Sequence, residues 1–154
     1  MKEYLGYLER AFLLEMRRAW FTKEDEKMKD KAINPTEHQI QVSIVDWSSR
    51  VKIPNTNIFI FDFLFAIPNG GYRNKSEAFR LKKEGVKKGV SDLFFAFPFN
   101  HFFGMWIEVK KPNGILSDEQ EDWIKKMIGA GYYADVVRNL DEAMKAFKYY
   151  LRMA

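Results

Sequence analysis

No cysteine occurs in the 154 residues. That excludes a disulfide framework, a thiol nucleophile and a cysteine-ligated zinc. Histidine is almost as scarce: only His38 and His101 are present, far apart in the chain, which excludes a dense histidine metal site. No apolar run approaches the roughly 20 residues needed to cross a bilayer, and Met1-Lys2-Glu3-Tyr4 opens no signal-peptide h-region. The expectation is a cytosolic chain with no membrane partner. Disorder is excluded as the main state, because 14 Phe, 7 Tyr and 4 Trp supply far too much apolar surface to leave unburied. The length is that of one ordinary domain.

A formal net charge of +4 is by itself a weak pointer to an anionic partner. Its placement says more. Between Gly71 and Val90 lie seven basic residues, Arg73, Lys75, Arg80, Lys82, Lys83, Lys87 and Lys88, against Glu77 and Glu84. Outside that window acids outnumber bases, 19 to 18. The whole positive excess sits in one stretch.

Along the chain, residues 2–30 read as a helix, with Leu5, Leu8, Phe12 and Met16 at helical spacing. Residues 1–33 are therefore expected to form an extra N-terminal helix, a candidate dimerisation arm. Asn34-Pro35-Thr36-Glu37 reads as a helix start, with Asn34 as cap, Pro35 first in the helix and Glu37 three past the cap. That helix is expected to reach about Arg50, with Ile40, Ile44, Trp47 and Val51 on one stripe. Ile58 to Ile67 reads as a buried strand, in which Asp62 is out of place and takes no role. Pro68-Asn69-Gly70-Gly71 turns. Ser76 to Glu84 reads as a short basic helix stopped by Gly85. Ser91 to Phe97 and Met105 to Lys110 read as antiparallel strands. Ser117-Asp118-Glu119-Gln120 is a capping box opening a helix whose buried face is Trp123, Ile124, Met127 and Ile128. A strand at Tyr133 to Val137 and a helix carrying Leu140, Ala143, Met144, Phe147, Tyr150 and Leu151 follow. The sum is an α/β domain with a mixed central sheet flanked by helices.

The chemistry centres on Met105-Trp106-Ile107-Glu108-Val109-Lys110. Alternation puts Glu108 and Lys110 on one face of the strand. Hairpin-like pairing with the preceding strand brings Asp92 near Glu108. Two close carboxylates repel, and a divalent cation removes that cost. Mg²⁺ or Mn²⁺ in such a site polarises a phosphodiester and generates hydroxide from water. A neighbouring lysine orients that water or steadies developing phosphate charge. A Glu-x-Lys string is equally what an exposed antiparallel face carries, so spacing alone does not make a site.

Four segments in this order resemble the VRR-NUC family of the PD-(D/E)xK nuclease superfamily, over about residues 34–152. They are Glu37-His38-Gln39-Ile40-Gln41; Ala66-Ile67-Pro68-Asn69-Gly70-Gly71; Glu84 through Asp92; and Ile107-Glu108-Val109-Lys110, followed by Leu116-Ser117 and Gln120. Where the family has Gly-Val-Pro-Asp, this chain has Gly89-Val90-Ser91-Asp92, keeping the aspartate. The resemblance implies a restriction-endonuclease-like fold over 34–154 and Mg²⁺- or Mn²⁺-dependent DNA phosphodiester cleavage. It implies metal binding by Asp92, Glu108 and the Val109 carbonyl, with Lys110 as the catalytic lysine. Glu37 resembles the first-motif carboxylate and Gln41 accompanies it. Small stand-alone members resemble phage-type dimers acting on four-way junctions, which places the chain in a bacterial or phage-infected cytosol.

The residues leave alternatives open. Glu37 is explained equally by helix capping, Gln41 by a solvated helix face, and Gln120 by its capping box, with a supporting place behind the metal ligands as its other reading. Asn69, Arg73, Lys75, Arg80, Lys82, Lys83, Lys87 and Lys88 form either a solvated charged face or a sequence-independent phosphate contact leading to Asp92. The expected function is a structure-selective DNA endonuclease working as a homodimer. The alternative is a non-catalytic DNA-binding module that keeps the fold.

Overall fold

The computed structural model describes residues 35–68 and 75–153. The expected N-terminal helix, the Asn34 cap and the Asn69 to Asn74 segment lie outside the described residues. The first element is α1, Glu37–Ser48. Its cap is Thr36, whose hydroxyl accepts from Gln39 N while the Gln39 side chain accepts from Thr36 N. The expected start with Asn34 as cap and Pro35 inside the helix is therefore displaced. Thr36-x-x-Gln39 supplies both halves of the box, so Glu37 sits in the first turn with no capping duty.

The apolar run after α1 is not one strand. Ile60–Phe63 forms a 3-10 turn, and only Leu64–Ala66 is strand β1. Asp62 explains the break: its Oδ2 accepts from Phe59 N at 2.8 Å, which favours the turn over extended pairing. The basic helix α2 is Lys75–Lys83, ended by Gly85 at φ +94°. Strands β2 (Leu93–Phe95) and β3 (Met105–Val109) follow, then α3 (Asp118–Gly129), β4 (Tyr133–Val137) and α4 (Leu140–Tyr150).

The sheet order is β1-β2-β3-β4. The first two pairings are antiparallel and the third is parallel, so the sheet is mixed as expected. Odd positions of the central strands, Leu93, Phe95, Met105, Ile107 and Val109, are buried in one core. On that face α1 and α4 lie side by side. Trp47 and Phe95 both pack on the Phe147 ring, at 5.3 and 5.2 Å between centroids. Burial of each such aromatic contributes about 2 kcal/mol.

Even positions face the other way. Phe94 packs on Trp106, and Trp106 on Trp123 of α3. Helix α3 covers this face only in part. Its Ile128, expected to be buried, is 55% exposed, and no residue of α3 is fully buried. This thin cover places the polar end of the even face within reach of α3's first turn.

Candidate active site

The β2–β3 register pairs Leu93 with Ile107, and one step further sets Asp92 opposite Glu108. Both then point to the even face, beyond Trp106, at the end of the strands. Asp92 precedes β2 by one residue, and its carbonyl accepts from Ile67 N at 2.8 Å. Its Oδ2 accepts from the Val109 N–H at 2.9 Å. The carboxylate is thus oriented by backbone from the neighbouring strand.

Glu108 is fully buried. One oxygen, Oε1, lies 3.0 Å from Lys110 Nζ and also accepts from the Gln120 side-chain amide. The other, Oε2, is buried with no hydrogen-bond partner among the described residues. Burial pushes the Glu108 carboxyl up to about 7, and the charge of Asp92 pushes the same way. Lys110, through its hydrogen bond and charge, opposes both. Asp92 is also raised, chiefly by burial, against the hydrogen bond from Val109 and the charge of Lys110.

Lys110 is only 8% exposed. The turn after β3 folds back over its stem, with Gly114 N donating to Lys111 O at 2.8 Å. A Cβ on Gly114 would lie 3.2 Å from Lys110 Cβ. The ammonium is thereby aimed at Glu108 and not into solvent.

Gln120 has two duties, and its side chain divides them by atom. Oε1 accepts from Ser117 N at 3.0 Å and closes the α3 capping box. Nε2 donates to Glu108. The helix start and the buried carboxylate are therefore locked together. Gly89 brings the two segments into register. It lies so close to α3 that a Cβ would stand 2.3 Å from Glu119 O, and its φ is +77°. Only glycine fits there.

Glu37 enters from α1, on the opposite face, and reaches the same sheet end. Its Oε1 accepts from Lys111 N at 3.3 Å. Its charge raises both Asp92 and Glu108. Gln41, one turn further along α1, is half-buried. It makes no side-chain hydrogen bond among the described residues. Among the described residues, no three His, Asp or Glu side chains converge as a complete metal cage. The close set is two carboxylates, a lysine and an amide.

That set fits a hard divalent cation. Mg²⁺ keeps several waters and takes one or two carboxylates plus substrate phosphate oxygens. The buried, unpartnered Glu108 Oε2 is an acceptor without a donor, which a cation would satisfy.

Of the basic residues, Arg80, Lys82, Lys83, Lys87 and Lys88 are exposed. Arg80 pairs with Glu84 at 3.8 Å. Asn69 and Arg73 lie outside the described residues, and Lys75 opens α2. The structure thus brings Asp92, Glu108, Val109, Lys110 and Gln120 together. It sets Glu37 beside them, and the described cations of the basic stretch stay exposed. Sequence reasoning missed Thr36, Gln39 and Gly89. The first two were signalled by their own spacing; the tertiary contact of Gly89 had no local signal.

The family model for the VRR-NUC domain matches residues 25–139. A solved structure described as a VRR_NUC domain protein is 26% identical, with a TM-score of 0.68. The likeness covers 79% of this chain and 92% of that one. Among curated proteins, none matches. The four-stranded mixed sheet with flanking helices agrees with a restriction-endonuclease-like α/β fold.

Proposed function

This chain belongs to the VRR-NUC family, a family of nucleases, and from that premise we propose that it is a Mg²⁺- or Mn²⁺-dependent endonuclease acting on branched DNA such as four-way junctions. The observation that carries the reading is Glu108: one oxygen held by Lys110 and Gln120, the other buried beside Asp92 without a partner among the described residues. Asp92, Glu108 and the Val109 carbonyl would hold the ion, with Glu37 at its margin. The bound ion would supply Lewis acidity at the phosphate and a water acidic enough to attack.

The chain's own groups do the rest. Lys110 Nζ, fixed 3.0 Å from Glu108 Oε1, orients a water and steadies negative charge that grows on the phosphate oxygens. Gln120 prevents Glu108 from swinging away. Lys82, Lys83, Lys87 and Lys88 hold the DNA backbone, giving affinity without base readout. A homodimer would match the two-fold symmetry of a four-way junction, with residues 1–33 as the candidate arm; light scattering at working concentration tests it.

The deciding experiment is cleavage of labelled linear, flapped and four-way DNA with Mg²⁺ or Mn²⁺. Cutting by wild type, lost in Lys110→Ala with DNA binding retained, is the expected result. Binding of DNA without cleavage of any substrate would reject catalysis and leave a DNA-binding module. No helix among the described residues is long and apolar enough to cross a membrane.

A further inference from the structure

Helix α2 buries none of its described side chains, yet it carries a phenylalanine. Phe79 is 62% exposed. Phe79, Lys82 and Lys83 follow the i, i+3, i+4 spacing that shares one helix face. Lys83 Nζ stands 4.6 Å from the Phe79 ring centroid, a cation–π contact. On the neighbouring face Glu84 is matched by Arg80. Lys82 and Lys83 make no ion pair among the described residues.

We propose that Phe79, flanked by Lys82 and Lys83, is a stacking platform for a nucleobase whose stacking is interrupted at a DNA branch. The inference rests on the nuclease reading above and names what selects the substrate. A ring has two faces, and Lys83 attends one of them; the exposure of Phe79 leaves room for a planar partner. The partner's chemistry follows from the surroundings. Among the described residues of α2, Phe79 is the one exposed large apolar side chain, set among Arg80, Lys82 and Lys83, a composition poor in apolar area and rich in charge for a protein docking patch. A base stacks on any aromatic face regardless of sequence, while its flanking phosphates meet the lysines. In an intact duplex the bases are stacked already and cannot reach the ring. At a branch they can. In sequence the chain runs from α2 through Gly85, Lys87, Lys88 and Gly89 to Asp92, so one short basic segment joins the platform to the carboxylates.

The test is fluorescence anisotropy with the full chain in EDTA at low salt, so that cleavage plays no part. The probes are a four-way junction and a fully paired duplex of equal length. Phe79→Ala is expected to weaken junction binding about tenfold and duplex binding less than about twofold. Phe79→Tyr, which keeps the ring, is expected to restore junction binding; thermal melting of each variant verifies the fold. Equal loss on both DNAs, or no loss on either, overturns the proposal. So does a change in mass by light scattering with junction affinity unchanged, which would assign the face to a second copy of the chain. If wild type binds the junction selectively but cuts nothing, the nuclease reading fails while the platform stands.

Discussion

Asp92 and Val109 are joined across two strands by a single hydrogen bond, 2.9 Å from the Val109 N–H to Asp92 Oδ2. It lets a residue at the mouth of β2 take its orientation from the backbone of β3. Val109 is also the residue between Glu108 and Lys110. Any shift of β3 therefore moves both carboxylates and the lysine as one unit.

Metal affinity should rise with pH. Glu108 titrates at about 7 and Asp92 is also raised, so each carries a proton at lower pH that a cation must displace. Between pH 6 and 8, Mn²⁺ binding measured by calorimetry should strengthen about tenfold, with proton release below 7. Equal affinity at both pH values would contradict this account of the site.

Without metal, the same burial should cost stability as pH rises. A carboxyl raised in the folded state stabilises most when protonated, below its ordinary value of 4.5, and loses that contribution as pH climbs through about 7. In EDTA at pH 8, Glu108→Gln should therefore be more stable than wild type, by about 2 kcal/mol. At pH 5 the difference should shrink toward zero. Thermal melting at the two pH values measures it, and a destabilised variant at pH 8 would refute it.

Gly89→Ala should harm both fold and site. The added Cβ would meet the Glu119 backbone at 2.3 Å, at a φ of +77° that an L side chain resists. Relief requires moving either α3 or the segment that leads to Asp92. A loss of about 2 kcal/mol in melting is expected, with DNA cleavage falling further than stability explains. Wild-type melting and cleavage would show that the approach relaxes freely.

Ser117→Ala and Gln120→Ala separate the two duties of Gln120. Each breaks the α3 capping box, at a cost of about 1 kcal/mol. Only Gln120→Ala also removes the amide from Glu108 Oε1. Comparable melting curves with cleavage reduced in Gln120→Ala alone are expected. Matching activities in the two variants would reduce Gln120 to a cap.

Much of the site was legible because it rests on short-range geometry. Alternation in β3 placed Glu108 and Lys110 on one face, and the Ser117–Gln120 box appeared at its expected position. Asp62 was not legible, and Glu37 was legible in two ways, as a site carboxylate and as a helix cap. The first reads as a misfit in a strand until its cap on Phe59 is seen. The second reads as a capping group until Thr36 takes that role. In both places a local hydrogen bond competed with the pattern of apolar residues, and periodicity is blind to that competition.

The sequence by itself determined an α/β domain without cysteine chemistry, four strands, a carboxylate–lysine strand and one basic stretch. Those follow from alternation, helical spacing and composition, which act over a few residues. Only the tertiary structure decided that Glu108 is fully buried with one oxygen unpartnered, that Gln120 reaches it, and that Phe79 stays exposed. The first two depend on how α3 seats against the even face of the sheet, and the third on α2 burying none of its described side chains. Burial and its electrostatic cost are properties of that packing, and no single segment carries them.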